Sequence, residues 1–229
     1  MKTEKEKMLA GEAFKTGDAE LMENKKNARI IAEMYNHSSE DNLAYRKSLL
    51  KQLLGRCGKK IMIKPPFHCD YGYQIFVGEN FFANFDCIFL DAAPIEIGDN
   101  CMIGPKTCIY AISHPLDAKE RQKGIGFPKK VTIGNNVWIG GSVTILPGVC
   151  LGDNVIVGAG SVVTKSFPEN VVIAGNPAKI IKKLQFQFIK KSVFIKDKSL
   201  MADIEHYFHY IRSHIDLFNL MARYLRKFF

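Results

Sequence analysis

The stretch Val131-Thr132-Ile133-Gly134-Asn135-Asn136-Val137-Trp138-Ile139-Gly140-Gly141-Ser142-Val143-Thr144-Ile145-Leu146-Pro147-Gly148-Val149-Cys150-Leu151-Gly152-Asp153-Asn154-Val155-Ile156-Val157-Gly158 decides the fold. Valines stand at 131, 137, 143, 149 and 155, six residues apart. Two residues after each comes Ile133, Ile139, Ile145, Leu151 or Val157, and glycine follows most of those. An amphipathic strand alternates with period two and then turns back. Here one β-branched side chain points inward per short flat strand, and a Gly, Asn or Asp turn follows, using residues that tolerate left-handed backbone angles. Such a period is the signature of a solenoid, whose coils stack identical positions above one another. Five consecutive matches at two positions leave little room for a β-sandwich with coincidental spacing.

Outward from this stretch, the pattern recurs in Ile75-Phe76-Val77-Gly78-Glu79-Asn80 and Ile95-Glu96-Ile97-Gly98-Asp99-Asn100, with two-residue slips near Tyr73 and at Ala93-Pro94. Residues 113–130 break it outright. Before residue 58 the texture is helical. Leu21, Ala28, Ile31 and Tyr35 recur at helical spacing, Asn36-His37-Ser38-Ser39 breaks the helix, and Ser38 or Ser39 is expected to cap the next. Leu43, Leu49, Leu50, Leu53 and Leu54 form its stripe, closed by Gly55. The expected organisation is a helical region (1–57), a β-helix (58–184) with an inserted loop (113–130), and a C-terminal extension (185–229). The extension reads as strand and then amphipathic helix, with Ile204, Ile211, Phe218 and Leu225 seven apart. Packing on the solenoid, a coiled-coil contact and a basic helix on an anionic membrane compete for that stripe.

Composition bounds the function. Hydrophobic residues make up 47% of the 229 and charged residues 24%, as in a globular domain. No apolar run reaches the roughly 18 residues of a membrane span. The charged start Met1–Lys7 has no apolar segment behind it, so a secretory signal is not expected, and the six cysteines read as reduced cytoplasmic thiols. A net charge of +9 suits an anionic partner. Nucleic acid is disfavoured, because the basic residues lie in the helical ends without interleaved aromatics.

The hexads resemble the hexapeptide-repeat transferases. Cys69-Asp70-Tyr71-Gly72-Tyr73, Asn80–Asp86, Ser113-His114-Pro115, Ile133–Gly141, Ala174-Gly175-Asn176-Pro177-Ala178 and the opening Glu4–Gly11 are similar to the maltose and galactoside O-acetyltransferases. The resemblance runs from about residue 4 to 184. It implies a left-handed parallel β-helix, a trimer with sites in the clefts between subunits, and acetyl transfer from acetyl-coenzyme A to a sugar hydroxyl without a metal.

The residue chemistry agrees. A sugar hydroxyl needs a general base that titrates near neutrality, as histidine does. The matched base is His114, in the loop where the solenoid stops. The resemblance places Asp70, Asn84, Asp91 and, more loosely, Asp18 at the acceptor. It places Gly141 at the oxyanion, and Ala159, Thr164, Lys165, Lys179 and Lys182 at the cofactor, with lysine at 179 and 182 where relatives often carry arginine; Trp138 is a candidate cofactor contact, with packing at a coil corner or subunit contact as the alternative. Asp70 stands where galactoside-type relatives have serine, and Ala92 where they have an acid; both favour the maltose-like branch. The alternatives are transfer to an amine or a cell-surface polysaccharide, and a non-catalytic scaffold. A zinc hydratase on this fold needs several interfacial histidines, and the solenoid offers only His68 and His114. His206 and His209 share a helix face in the extension without a nearby carboxylate or cysteine pattern.

Overall fold

A computed structural model describes residues 1–184 of the chain. The expected strand and helix of the extension, 185–229, lie outside the described residues. Three parallel sheets form the walls of a prism of about six turns. The first holds Ile75–Val77, Ile95–Ile97, Val131–Ile133 and Cys150–Leu151. The second holds Ile61–Ile63, Phe81–Ala83, Met102–Ile103, Trp138–Ile139, Ile156–Val157 and Val171–Gly175, and ends in the antiparallel strand Ala178–Lys183. The third holds Phe67–Cys69, Cys87–Leu90, Cys108–Tyr110, Thr144–Ile145 and Val162–Val163.

The hexad arithmetic produces this register directly. Val131 pairs with Ile95, Thr144 with Cys108 and Val162, and Trp138 with Met102 and Ile156. Val131, Val137, Val143, Val149 and Val155 are all buried, as are Ile133, Ile139, Ile145, Leu151 and Val157. Each such side chain contributes about 1.5–3 kcal/mol of gross burial. On the outside of the second sheet, Met62, Phe82, Met102, Trp138, Ile156 and Val172 line up in an apolar column.

Three edges join the walls. The edge between the first and second sheets is an asparagine ladder. Asn80, Asn100, Asn136, Asn154 and Asn170 all have φ between +54° and +60°. Their amides bond in series at 2.9, 3.2, 3.1 and 2.8 Å. Each asparagine supplies both the left-handed turn and the bond to the next coil. The edge between the second and third sheets carries Asn84, Gly104, Gly141 and Ala159. Coils approach closely there: a Cβ on Gly104 would lie 2.5 Å from Gly141 N. The edge between the third and first sheets carries Asp70–Gln74, Asp91–Pro94 and residues 111–130. Both register slips seen in the sequence fall on this edge, as does the outright break.

Helices α1 (Glu4–Leu9), α2 (Ala19–Asn36) and α3 (Leu43–Leu53) precede the prism and belong with it to one unit, Met1–Gln185. Tyr35 donates from its buried hydroxyl to Ile63 O, and Asn36 exchanges two hydrogen bonds with the Phe67 backbone, at 2.9 and 3.0 Å. These tie α2 to the coils.

Three expectations change. Asn42, not Ser38 or Ser39, caps α3: its Oδ1 accepts from Tyr45 N at 3.2 Å, while Ser38 bonds back to Tyr35 O at 2.5 Å. Leu43 is consequently the first helical residue and leaves the stripe, 68% exposed. Gly55 is no left-handed cap; an added Cβ would lie 2.2 Å from Tyr73 O, so close backbone approach explains the glycine. The first 57 residues also include a strand, Phe14–Lys15, whose two residues are too few to show a period.

Candidate active site

The 113–130 break is structured. Strand Ile112–Ser113 pairs antiparallel with Ile125–Pro128, which pairs on its other side with Phe14–Lys15. Between them runs α4 (Ala118–Gln122), capped by Asp117. Gly126 is buried at the centre of this small sheet. A Cβ there would meet Thr16 Cγ2 at 2.8 Å, Ile112 Cδ1 at 3.0 Å and Phe14 Cε1 at 3.1 Å. Only glycine lets the N-terminal strand and the excursion close up.

His114 follows the first of these strands and is exposed. Its Nδ1 lies 3.0 Å from Ile125 O. Beneath it, Ile112 packs against a buried cluster of Met8, Phe14, Leu21, Tyr71 and Ala92. Ala92 is fully buried in this apolar contact.

Tyr71 is the hub joining the expected acceptor residues. Its ring lies among Asp70, Asp91 and Asp18, and burial is the largest influence raising its phenol pKa. The hydroxyls of Tyr71 and Tyr73 are buried with no hydrogen-bond partner among the described residues. Asp18 caps α2, its Oδ1 accepting from Glu20 N at 3.1 Å and Leu21 N at 3.3 Å. Asp70 forms an ion pair with Lys25 at 3.3 Å, and Lys25 Nζ sits 5.1 Å from the Tyr71 ring centroid. Lys25 was not singled out from the sequence. It reads there as one of two adjacent lysines on α2, and only the helix packing reveals its partner.

Asp91 corrects an expectation. It reaches no cleft: the residue is 0% exposed and its carboxylate accepts from Asp70 N (3.1 Å), Tyr71 N (2.8 Å) and Gln74 N (3.3 Å). Burial pushes its pKa up to about 7, against the lowering effect of those N–H donors. Asp91 shapes the edge that presents Asp70.

The remaining residues lie elsewhere. Asn84, Gly141 and Ala159 are on the second-to-third-sheet edge, and Trp138 is on the outer face of the second sheet. Asn84 Oδ1 accepts from Phe85 N at 2.9 Å. The Gly141 N–H has no acceptor among the described residues, although Gly141 O accepts from Gly160 N at 2.9 Å. Thr164 and Lys165 are exposed on the His114 edge, and Lys179 and Lys182 are exposed on the terminal hairpin. A wall of about six residues at roughly 3.3 Å each puts some 15–20 Å between edges. Within one chain, His114 and Gly141 therefore do not share a site. Cavities of about 470 and 300 Å³ flank α2 and α3; the larger is lined in part by His68 and Cys69, and neither is lined by His114 or the expected acceptor and cofactor residues. Among the described residues no group of His, Cys, Asp and Glu could hold a metal ion, and the six cysteines are free thiols.

A triangular parallel β-helix, interrupted by a histidine-bearing hairpin and preceded by helices packed on its first coils, defines a hexapeptide-repeat acyltransferase. The maltose acetyltransferase hexapeptide capping motif matches residues 7–58, and the bacterial transferase hexapeptide repeats match 130–165. The galactoside O-acetyltransferase of Escherichia coli is 36% identical over 199 residues, which is 87% of this chain and 97% of that protein. A maltose O-acetyltransferase structure from Clostridium difficile superposes with a TM-score of 0.79 at 50% identity, covering 81% of this chain and 99% of the other. A galactoside acetyltransferase structure in complex with coenzyme A gives 0.77 at 36% identity, covering 81% and 92%. The chain belongs to the maltose and galactoside O-acetyltransferase family.

Proposed function

We propose that this chain transfers the acetyl group of acetyl-coenzyme A to a hydroxyl of a glucose- or maltose-like sugar, as a homotrimer whose sites lie between neighbouring copies. The observation that carries the reading is the state of His114. Ile125 O can only accept, so in this reading Nδ1 holds the hydrogen and Nε2 of the exposed side chain carries the lone pair that makes it a base. In this reading Nε2 takes the hydroxyl proton as the sugar oxygen attacks the thioester carbonyl. The proton then passes to the departing thiolate, and the thiol leaves as the ester forms.

The split of residues over two edges supports a shared site. Asp70, His114, Thr164 and Lys165 lie on one edge; Asn84, Gly141 and Ala159 lie on another. They meet when the edges of two copies face each other, and the apolar column through Trp138 offers surface for such packing. The Gly141 N–H, without an acceptor among the described residues, is a donor for the developing oxyanion. Exposed Lys165 and Lys179 supply cations for cofactor phosphates. The similarity to a structure in complex with coenzyme A supports the choice of donor.

The test is thiol release from acetyl-coenzyme A in the presence of glucose, maltose, galactosides, amines and no acceptor, with the product ester confirmed by mass. Ester formed on glucose or maltose supports the reading; transfer only to amines, or none to any sugar, overturns it.

A further inference from the structure

An exposed imidazole on a loop ordinarily samples several rotamers and both neutral tautomers, and two contacts outside the ring act against that here. Arg121 Nη1 donates to Pro115 O at 2.9 Å and to Leu116 O at 3.1 Å, the two carbonyls that immediately follow His114. Its own backbone carbonyl accepts from Gly124 N at 3.1 Å. Arg121 thus joins the outgoing and returning halves of the hairpin. On the far side, Thr16 grips the same turn twice: its N and its Oγ1 donate to Gly124 O at 2.9 and 3.0 Å. Lys15 lies opposite Ile125 in the antiparallel register, so the N-terminal strand holds the peptide whose carbonyl fixes the His114 ring. Gly124 makes the turn with φ +71°, which leaves its carbonyl facing Thr16.

We propose that Thr16 and Arg121 are positioning residues for His114: acting from opposite sides of the hairpin, they hold the Ile125 carbonyl against Nδ1 and so keep Nε2 as the base. Neither touches substrate in this account. The two clamps also give the N-terminal strand a role beyond packing, since the segment before α2 sets the tautomer of a ring about 100 residues later in the chain. The catalytic consequence rests on the reading of His114 as the base; the structural consequence does not.

Both can be read separately. The full-length protein is labelled with ¹⁵N-histidine, and multiple-bond ¹⁵N–¹H correlation spectra are recorded where the rings are neutral. His114→Gln identifies the His114 signals among the six histidines. The wild type should show His114 as the Nδ1–H tautomer. Arg121→Met and Thr16→Val should each introduce the Nε2–H form, the double variant more than either. In acetyl transfer, kcat should fall between about 10- and 100-fold, with both KM values within about twofold, as for a misplaced group rather than lost binding. Arg121→Lys, which keeps one donor, should recover part of the loss. Melting temperatures close to wild type would confirm that the hairpin stays folded. A wild-type ring in the Nε2–H form, or variants that leave the tautomer unchanged, would overturn the proposal. A tautomer shift in a protein that acetylates no sugar would support the clamps and overturn the acceptor reading instead.

Discussion

His114 Nδ1 and the carbonyl oxygen of Ile125 lie 3.0 Å apart, across the mouth of a hairpin the repeat pattern does not contain. The bond holds the proposed base on one edge of the prism, while the Gly141 N–H, without an acceptor among the described residues, is on another. On the proposed mechanism the catalytic parts of one chain lie on separate edges, and closed rotational assembly brings one edge of each copy to the other edge of the next.

This arrangement predicts complementation. On the proposed mechanism, His114→Ala removes the base from one edge, and Asn84→Ala removes an acceptor contact from the other. Each homotrimer should be nearly inactive. Random co-assembly at equal amounts should restore about a quarter of wild-type activity, because one pairing in four brings an intact edge of each kind together. Activity that stays at the level of the parents after subunit exchange would show that each site is built within one chain.

Asp91 makes a pH prediction with a definite sign. Its pKa is raised in the folded chain to about 7 from an ordinary 3.8. Between those values the folded state binds more proton than the unfolded state, so stability falls as pH rises from about 4 to about 7. The contribution is on the order of a few kcal/mol, at about 1.4 kcal/mol per pH unit. Asp91→Asn keeps the oxygen that accepts from Asp70 N and Tyr71 N and removes the titration. Thermal melts should lose this part of their slope in the variant. An unchanged slope between pH 4 and 7 would assign it to other groups.

The asparagine ladder sets an order of severity. Asn136→Gly loses the ladder bonds at 3.2 and 3.1 Å but suits the φ of +56°. Asn136→Ala loses the same bonds and adds a left-handed alanine, worth about 1–2 kcal/mol more. Melting should therefore rank wild type above glycine above alanine. Alanine equal to or better than glycine would mean that backbone strain does not govern this edge.

Much of the fold was legible because one side chain per hexad has to be small enough to stack and apolar enough to bury. Val131, Val137 and Val143 announce both the walls and the register. The edges were partly legible: the Asn of Gly-Asp-Asn and Gly-Asn-Asn signals a left-handed turn, but the series of amide bonds between coils does not show in any one hexad. The site was legible as residue types and not as places. His114 stood out because it follows a break in the period, whereas nothing local says that Asp91 faces inward or that Lys25 meets Asp70 across 45 residues of chain. The Phe14–Lys15 strand was missed because two residues carry no period, and its partner is more than 100 residues away. The cap of α3 went to Asn42 because Ser38 satisfies itself by bonding back to Tyr35 O.

The most direct test of the central claim is the turnover of His114→Ala, measured by thiol release with acetyl-coenzyme A and a saturating glucose or maltose acceptor, alongside coenzyme A binding by calorimetry. The account predicts a loss of about 10²- to 10⁴-fold in turnover, the usual worth of general acid–base catalysis, with the fold and coenzyme A affinity retained. Wild-type turnover by a folded His114→Ala protein would contradict it.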